Sequence, residues 1–280
     1  MSWRIRVRHS TGYTYPSPAR SSYNEARMTP STSFGQQTLE TSLDVAPSTV
    51  PLRYVDYWGT TVYAFDVHQP HTVLTVTATA VVETAPAVPE PSDVCWADVH
   101  DPRLQDRHTQ LLLGSRYVVA EPAVAAVGAD LAASHPPAEA GRQAMLWAHD
   151  QLQYERGATE VHTTSAQARA AGRGVCQDYT HVALALLRSM RLPSRYVSGY
   201  LHPTRDAAIG KQTTGESHAW VEFWAGAWIP ADPTSLAPVA ERHVAVARGR
   251  DYADVRPLSG IYRGPRSHSP EVIVQLTRLR

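Results

Sequence analysis

The stretch from Ala170 to Leu201 constrains this chain more than any other. It reads AAGRGVCQDYTHVALALLRSMRLPSRYVSGYL. Tyr179, Val182, Ala183, Leu186, Leu187 and Met190 recur at helical spacing, and Pro193 ends the run. The helix therefore begins at or just after Cys176, behind a glycine-rich approach through Gly172 and Gly174. Unsatisfied N–H groups and the helix dipole at such an end favour a thiolate over a thiol and can hold an oxyanion. A lone cysteine is more often a small buried hydrophobe than a nucleophile, so the assignment turns on partners further along the chain.

Glu216 to Trp224 alternates like a strand, with His218, Trp220, Glu222 and Trp224 on one face and Ala219, Val221 and Phe223 on the other. Ala225-Gly226 signals a turn, and Trp228 to Asp232 reads as a short returning strand. A turn centred on residue 225 sets His218 directly opposite Asp232, with Cβ atoms about 4.5–5.5 Å apart. A carboxylate at that separation can orient an imidazole. Singly, His218 reads as a strand-end histidine and Asp232, before Pro233, as a turn residue. Jointly with Cys176 they point to nucleophilic catalysis.

Gly174-Val-Cys176-Gln-Asp-Tyr, Arg195-Tyr-Val-Ser-Gly-Tyr200, Ser217-His218-Ala-Trp-Val-Glu222 and Asp232-Pro-Thr234, in that order, resemble the transglutaminase-like superfamily. The resemblance is to the bacterial branch with its own N-terminal β domain, and it extends over most of the chain. Ile5 to Tyr15 is similar to that N-terminal region; Gly249 to Pro257 and Gly260 to Gly264 are similar to the segment after the core. The resemblance implies an α+β, papain-like core carrying a Cys176-His218-Asp232 triad and no cofactor; the calcium site of animal relatives has no visible counterpart in this sequence, so calcium independence is expected. It also implies a peptide, protein or peptide-conjugate substrate, and an ATP-grasp-like ligase as a genomic neighbour.

The rest of the chain is read around that core. Residues 1–85 hold candidate strands at Trp3–Val7, Thr38–Val45, Thr60–Val67 and Thr72–Val82, with a turn at Tyr57–Thr60, and predict an all-β, sandwich-like domain. Residues 86–119 read as a linker, opened by Pro86, Pro89 and Pro91. The catalytic core is expected over 120–235, with helices at Ala123–Ser134 and Ala138–Leu152 and a short one capped by Thr164-Ser165. Residues 236–280 form an extension whose closing strand, Val272–Leu276, returns to the N-terminal sheet.

Composition excludes several functions. Formal net charge is zero and there is no long basic run, so neither a nucleic-acid nor a membrane-surface partner is expected. Met1 to His9 lacks the apolar core of a signal peptide, and the two cysteines make no disulfide framework; both fit a reducing cytoplasm. Cys95, without a glycine-rich approach or a following helix, is read as non-catalytic. His68 and His71 flank Pro70 with no further ligand nearby, which argues against a metal pair.

In the expected reaction Cys176 attacks an amide carbonyl, His218 moves the proton, and Asp232 orients His218. The Cys176 N–H supplies one oxyanion donor, with Gln177 and Tyr154 as candidates for the second. Trp220 and Trp224 either line the cleft or pack in the core. The thioester can pass to water or to an amine. Hydrolysis is the expected outcome, with transglutamination and a binding module carrying a relic triad as the alternatives.

Overall fold

The computed structural model describes residues 2–33, 35–85, 93–268 and 271–280. Its organising strand, β1 (Trp3–Ala26), runs far beyond the Trp3–Val7 alternation. After it come four more strands: β2 (Gln36–Ala46), β3 (Leu52–Val55), β4 (Thr61–Val67) and β5 (His71–Thr84). β3 has no counterpart among the expected strands; it makes the Tyr57–Thr60 turn the bend of a β3–β4 hairpin. The first half of β1 pairs with β5 as far as Thr14 and the pairing resumes only at Ala19. Pro16 and Pro18 lie in that gap and have no N–H to give a ladder. Beyond the gap β1 pairs with β4 instead. The bent strand thus changes partner along its length, and Tyr15, Ala19, Phe65, Val67, Leu74 and Val76 form a second buried cluster on it and its partners.

Residues 86–92, with the three linker prolines, lie outside the described residues. The remainder of the segment read as linker is structured, which corrects that expectation. It forms α1 (Trp96–Val99) and α2 (Pro102–Arg107). Asp101 caps α2 by accepting the N–H groups of Arg103 and Leu104 at 2.9 and 3.3 Å, with Pro102 at the first helical position. Val99 and Val118 join the main core, and Leu111 and Tyr117 are buried as well.

The core proper comprises α3 (Pro122–Ser134), α4 (Pro137–Asp150), β6 (Gln153–Tyr154), α5 (Ser165–Ala171), β7 (Arg173–Gly174) and α6 (Cys176–Ser189). Its sheet is built from β8 (Ser194–Leu201), β9 (Gln212–Trp224), β10 (Trp228–Ala231), β11 (His243–Gly249), β12 (Leu258–Arg263) and β13 (Glu271–Arg278). Thr164 caps α5 as its sequence suggests, accepting the Gln167 N–H at 3.3 Å while Gln167 accepts the Thr164 N–H at 2.9 Å. α6 is buried from Asp178 through Arg188 and packs against α3, α4, α5, β8 and β9. α4 crosses β9 closely because residue 141 has no side chain: a Cβ there would stand 2.3 Å from the Phe223 ring.

β13 pairs with β1 on one side, as expected of the closing strand, and with β9 on the other. It therefore fuses the N-terminal strands and the core strands into one 11-stranded sheet. The fold is α+β. Among the described residues, no helix is long and apolar enough to cross a membrane.

Candidate active site

Cys176 is the first residue of α6, and Val175 enters the helix in extended backbone. Asp178 holds this bend. Its Oδ2 accepts the Val175 N–H at 2.8 Å and the Thr159 hydroxyl at 2.6 Å. Burial raises the Asp178 pKa, and these hydrogen bonds oppose the rise. A Cβ on Gly174 would meet the Asp178 Cβ at 2.7 Å, so the glycine-rich approach is a packing requirement. The N–H groups of Cys176 and Gln177 lie in the first turn, where no helical carbonyl can accept them. They remain available to a negatively charged oxygen.

The β9–β10 hairpin departs from the expected register. Its pairs run from Trp224–Trp228 to Val221–Ala231. The turn is centred on Gly226, whose φ of +85° suits glycine, and not on residue 225. Asp232 consequently lies level with Trp220, two residues along from His218. A two-residue shift keeps the same face of the strand, so the side chains meet diagonally. His218 Nε2 stands 2.9 Å from Asp232 Oδ2.

Asp232 is held from several directions. Its Oδ1 accepts the N–H groups of Thr234 and Ser235 at 2.8 and 3.3 Å, and its Oδ2 accepts the Ser235 hydroxyl at 2.6 Å. His243 Nδ1 accepts the Ala240 N–H at 3.2 Å. That fixes the proton on Nε2, which faces Asp232 Oδ2 at 3.9 Å. Burial lowers the His243 pKa, outweighing Asp232, and keeps the ring neutral. Neither Ser235 nor His243 is among the residues expected from sequence. Ser235 is a local Asx-turn partner of Asp232, readable from Asp-Pro-Thr-Ser. His243 is brought in by the strand order β11–β8–β9 and leaves no local signal.

Burial acts to lower the His218 pKa, but hydrogen bonds to Asp232 and Cys176 and their charges overcome it and push it up to about 10. Burial acts to raise Asp232, yet its partners His218, His243 and Ser235 hold it well below the usual carboxylate range. The pair is therefore imidazolium and carboxylate at neutral pH. Nε2 is engaged by Asp232, which leaves Nδ1 for Cys176.

Tyr154 has its pKa raised by burial and then by the charge of Cys176, which places its hydroxyl in the field of the sulfur. Gln177, by contrast, directs its amide to the Val161 carbonyl at 3.4 Å. Trp220 is almost fully buried and lies nearly parallel to the His218 ring, their centroids 6.2 Å apart, so it packs in the core. Trp224 packs against the core edge. Cys95 does precede a helix, the single turn α1, contrary to expectation; it is exposed and free. His71 Nδ1 bonds the Gln69 carbonyl at 2.9 Å, and His68 lies 3.9 Å from Asp66. A cluster with metal-ligating chemistry does exist elsewhere: the donor atoms of His218, Asp232 and His243 lie within 4.8 Å of one another. A metal there would break the His218–Asp232 hydrogen bond.

The family profile of the bacterial transglutaminase-like N-terminal region matches residues 5–83, and that of the transglutaminase-like superfamily matches residues 125–233, which contain all three candidate residues. An uncharacterized protein of Mycobacterium leprae is 46% identical over 277 residues, covering 99% of each chain. The chain belongs to the transglutaminase-like superfamily. A second superfamily relative, an uncharacterized protein of Mycobacterium tuberculosis, is 32% identical over 92% of this chain and 87% of its own. A Cytophaga hutchinsonii protein described as a candidate cysteine protease shares the fold, with a TM-score of 0.78 at 22% identity over 100% of this chain and 92% of that one. A Pseudomonas aeruginosa protein-glutamine gamma-glutamyltransferase is 35% identical over 104 residues, 32% of this superfamily member and 15% of that enzyme.

Proposed function

We propose that this superfamily member is a cysteine acyl-transfer enzyme that hydrolyses amide or peptide bonds through a thioester on Cys176. The observation that carries the reading is His218, held as imidazolium by Asp232 at 2.9 Å and presented to a cysteine at a helix N-terminus. In this scheme the Cys176 thiolate attacks the carbonyl carbon. The developing oxyanion takes the Cys176 N–H, with the Tyr154 hydroxyl as second donor. His218 Nδ1 gives its proton to the leaving amine as the C–N bond breaks. Neutral His218 then takes a proton from water, which attacks the thioester and releases the acid and the thiolate. Asp232 stays ionised throughout and fixes the tautomer. The substrate class is a peptide, protein or peptide conjugate, and the two free thiols suit a reducing compartment, the cytoplasm.

Water at bulk concentration takes the acyl group unless the site excludes it and holds an amine in its place. The test offers glutamine- and peptide-amide substrates with excess labelled primary amine, and mass spectrometry counts acid against adduct. Acid should dominate, vanish in Cys176→Ala and persist in Cys95→Ala. A majority of adduct would make the protein a transglutaminase. Turnover surviving in Cys176→Ala, or lost in Cys95→Ala, would overturn the assignment.

A further inference from the structure

Trp220 and His243, which pack against His218, also form part of the wall of a cavity of about 670 Å³. Cys176 is not in its lining. The size falls in the range of small-molecule sites, roughly 300–1,000 Å³. The wall has two kinds of surface. Trp58 and Trp228 supply aromatic area, with the almost fully buried Trp220 behind them. Arg195, Arg248 and Glu222 supply charge.

The charges do not cancel. Arg248 grips Glu222 with two hydrogen bonds, Nε to Oε2 and Nη2 to Oε1, both 2.9 Å. Arg195 shares the same carboxylate through its Nε at 2.7 Å and lies over the Trp228 ring at 4.0 Å. One carboxylate therefore serves two guanidinium groups whose side chains are only 22% and 17% exposed. Among the described residues lining the cavity, that leaves one positive charge in excess, since His243 is kept neutral by burial. A partly buried excess charge is costly, and an anion beside it relieves the cost. Donors are at hand: neither Arg195 Nη1 nor Arg248 Nη1 bonds a described residue. Gln36, by contrast, is already spent on the backbone of Ala245 in both directions at 2.8 Å.

We propose that this cavity binds a small organic monocarboxylate with an aromatic body, its carboxylate held by Arg195 and Arg248 and its ring lodged between Trp58 and Trp228. A guanidinium pair with spare N–H groups matches a carboxylate in geometry as well as in charge. This site is separate from the thiol chemistry and stands or falls without it.

The test is direct binding to the 280-residue chain, by calorimetry and tryptophan fluorescence. Indole-3-acetate is the probe. Indole-3-acetamide removes its charge, tryptamine reverses it, and acetate removes the ring. Indole-3-acetate, or phenylacetate or benzoate in the same series, should saturate at one site per chain with a Kd below about 1 mM, and the three mismatched probes should bind about tenfold more weakly or worse. Arg195→Met should cost the carboxylate a similar factor, because it brings the cavity to neutrality and leaves the two-bond Arg248–Glu222 pair standing. Should that variant not fold, Trp228→Leu removes aromatic wall and should weaken the same probe. Cys176→Ala should bind as the parent does, which separates this site from the proposed reaction. Absence of saturable binding by all three carboxylates, equal binding of the amide, or binding indifferent to the substitution at Arg195 or Trp228 would overturn the proposal.

Discussion

Replacing Asp232 by Asn changes one atom at the centre of the site, and the surrounding hydrogen bonds decide how the new side chain sits. The backbone N–H groups of Thr234 and Ser235 both donate to Oδ1, so the amide oxygen must take that position. The amide nitrogen then occupies the place of Oδ2 and donates to His218 Nε2. His218 can no longer carry its proton there. Its neutral form becomes the Nδ1–H tautomer, which cannot accept a proton from Cys176. The charge is lost as well. His218 is held at about 10 against an ordinary 6.5. At about 1.4 kcal/mol per tenfold in proton affinity, that is roughly 5 kcal/mol in favour of imidazolium. Asp232 supplies much of it, with Cys176 the other contributor. The same substitution in a serine triad costs about 10⁴-fold in turnover, also roughly 5 kcal/mol. The assay needs no substrate: the rate of Cys176 alkylation by iodoacetamide at pH 7 is followed by mass spectrometry in the parent protein and in Asp232→Asn. The substitution should slow alkylation about tenfold or more, because the imidazolium beside the sulfur is lost. Equal rates would refute the claim that Asp232 keeps His218 charged beside Cys176.

Three further outcomes are expected. The raised His218 stabilises the fold fully below its ordinary 6.5 and loses that contribution as pH climbs towards about 10, whereas the depressed Asp232 contributes above its ordinary 3.8 and loses it below. The gap in urea-unfolding free energy between parent and His218→Gln should therefore be widest between those two ordinary values and narrow on both sides; a gap constant with pH would contradict the pairing. Gly141→Ala drives a methyl towards the Phe223 ring, 2.3 Å from its nearest atom, and should cost about 1–3 kcal/mol in the same assay; parental stability would mean that α4 and β9 are less closely packed. Arg188 donates to the carbonyls of Leu113, Ser194 and Arg250 at 3.1, 3.1 and 2.5 Å, so Arg188→Met, which strands them, should cost about 3–5 kcal/mol and show as a lowered urea midpoint; an unchanged midpoint would remove its structural role.

Much of the site is legible in the sequence because its signals are local. Helical spacing from Tyr179 to Met190, the Thr164–Gln167 cap and strand alternation around His218 each depend on a few neighbouring residues, and each is found in the structure. The hairpin register differs from the expected one by two because a single glycine, Gly226, moves the turn centre by one residue. The difference does not keep His218 from Asp232, since a shift of two does not change faces. The features that stay hidden are non-local. β13 lies between β1 and β9 because both edges need a partner, and no periodicity states which edge a strand will choose. His243 reaches Asp232 through two strand pairings, β11 with β8 and β8 with β9. Arg195 and Arg248 converge on Glu222 for the same reason, so the cavity beside the site has no motif. The helices α1 and α2 hide in a polar stretch whose burial rests on Val99 and Leu111.

An activated thiol at residue 176 should show itself when the two cysteines of the native protein compete for limiting iodoacetamide at pH 7. Cys95 is exposed and Cys176 is half-buried, so access alone favours Cys95. The reverse is expected: Cys176 carbamidomethylated about tenfold faster or more, with the preference abolished once the chain is unfolded in urea. Native-state labelling that reaches Cys95 first, or both residues at one rate, would contradict it.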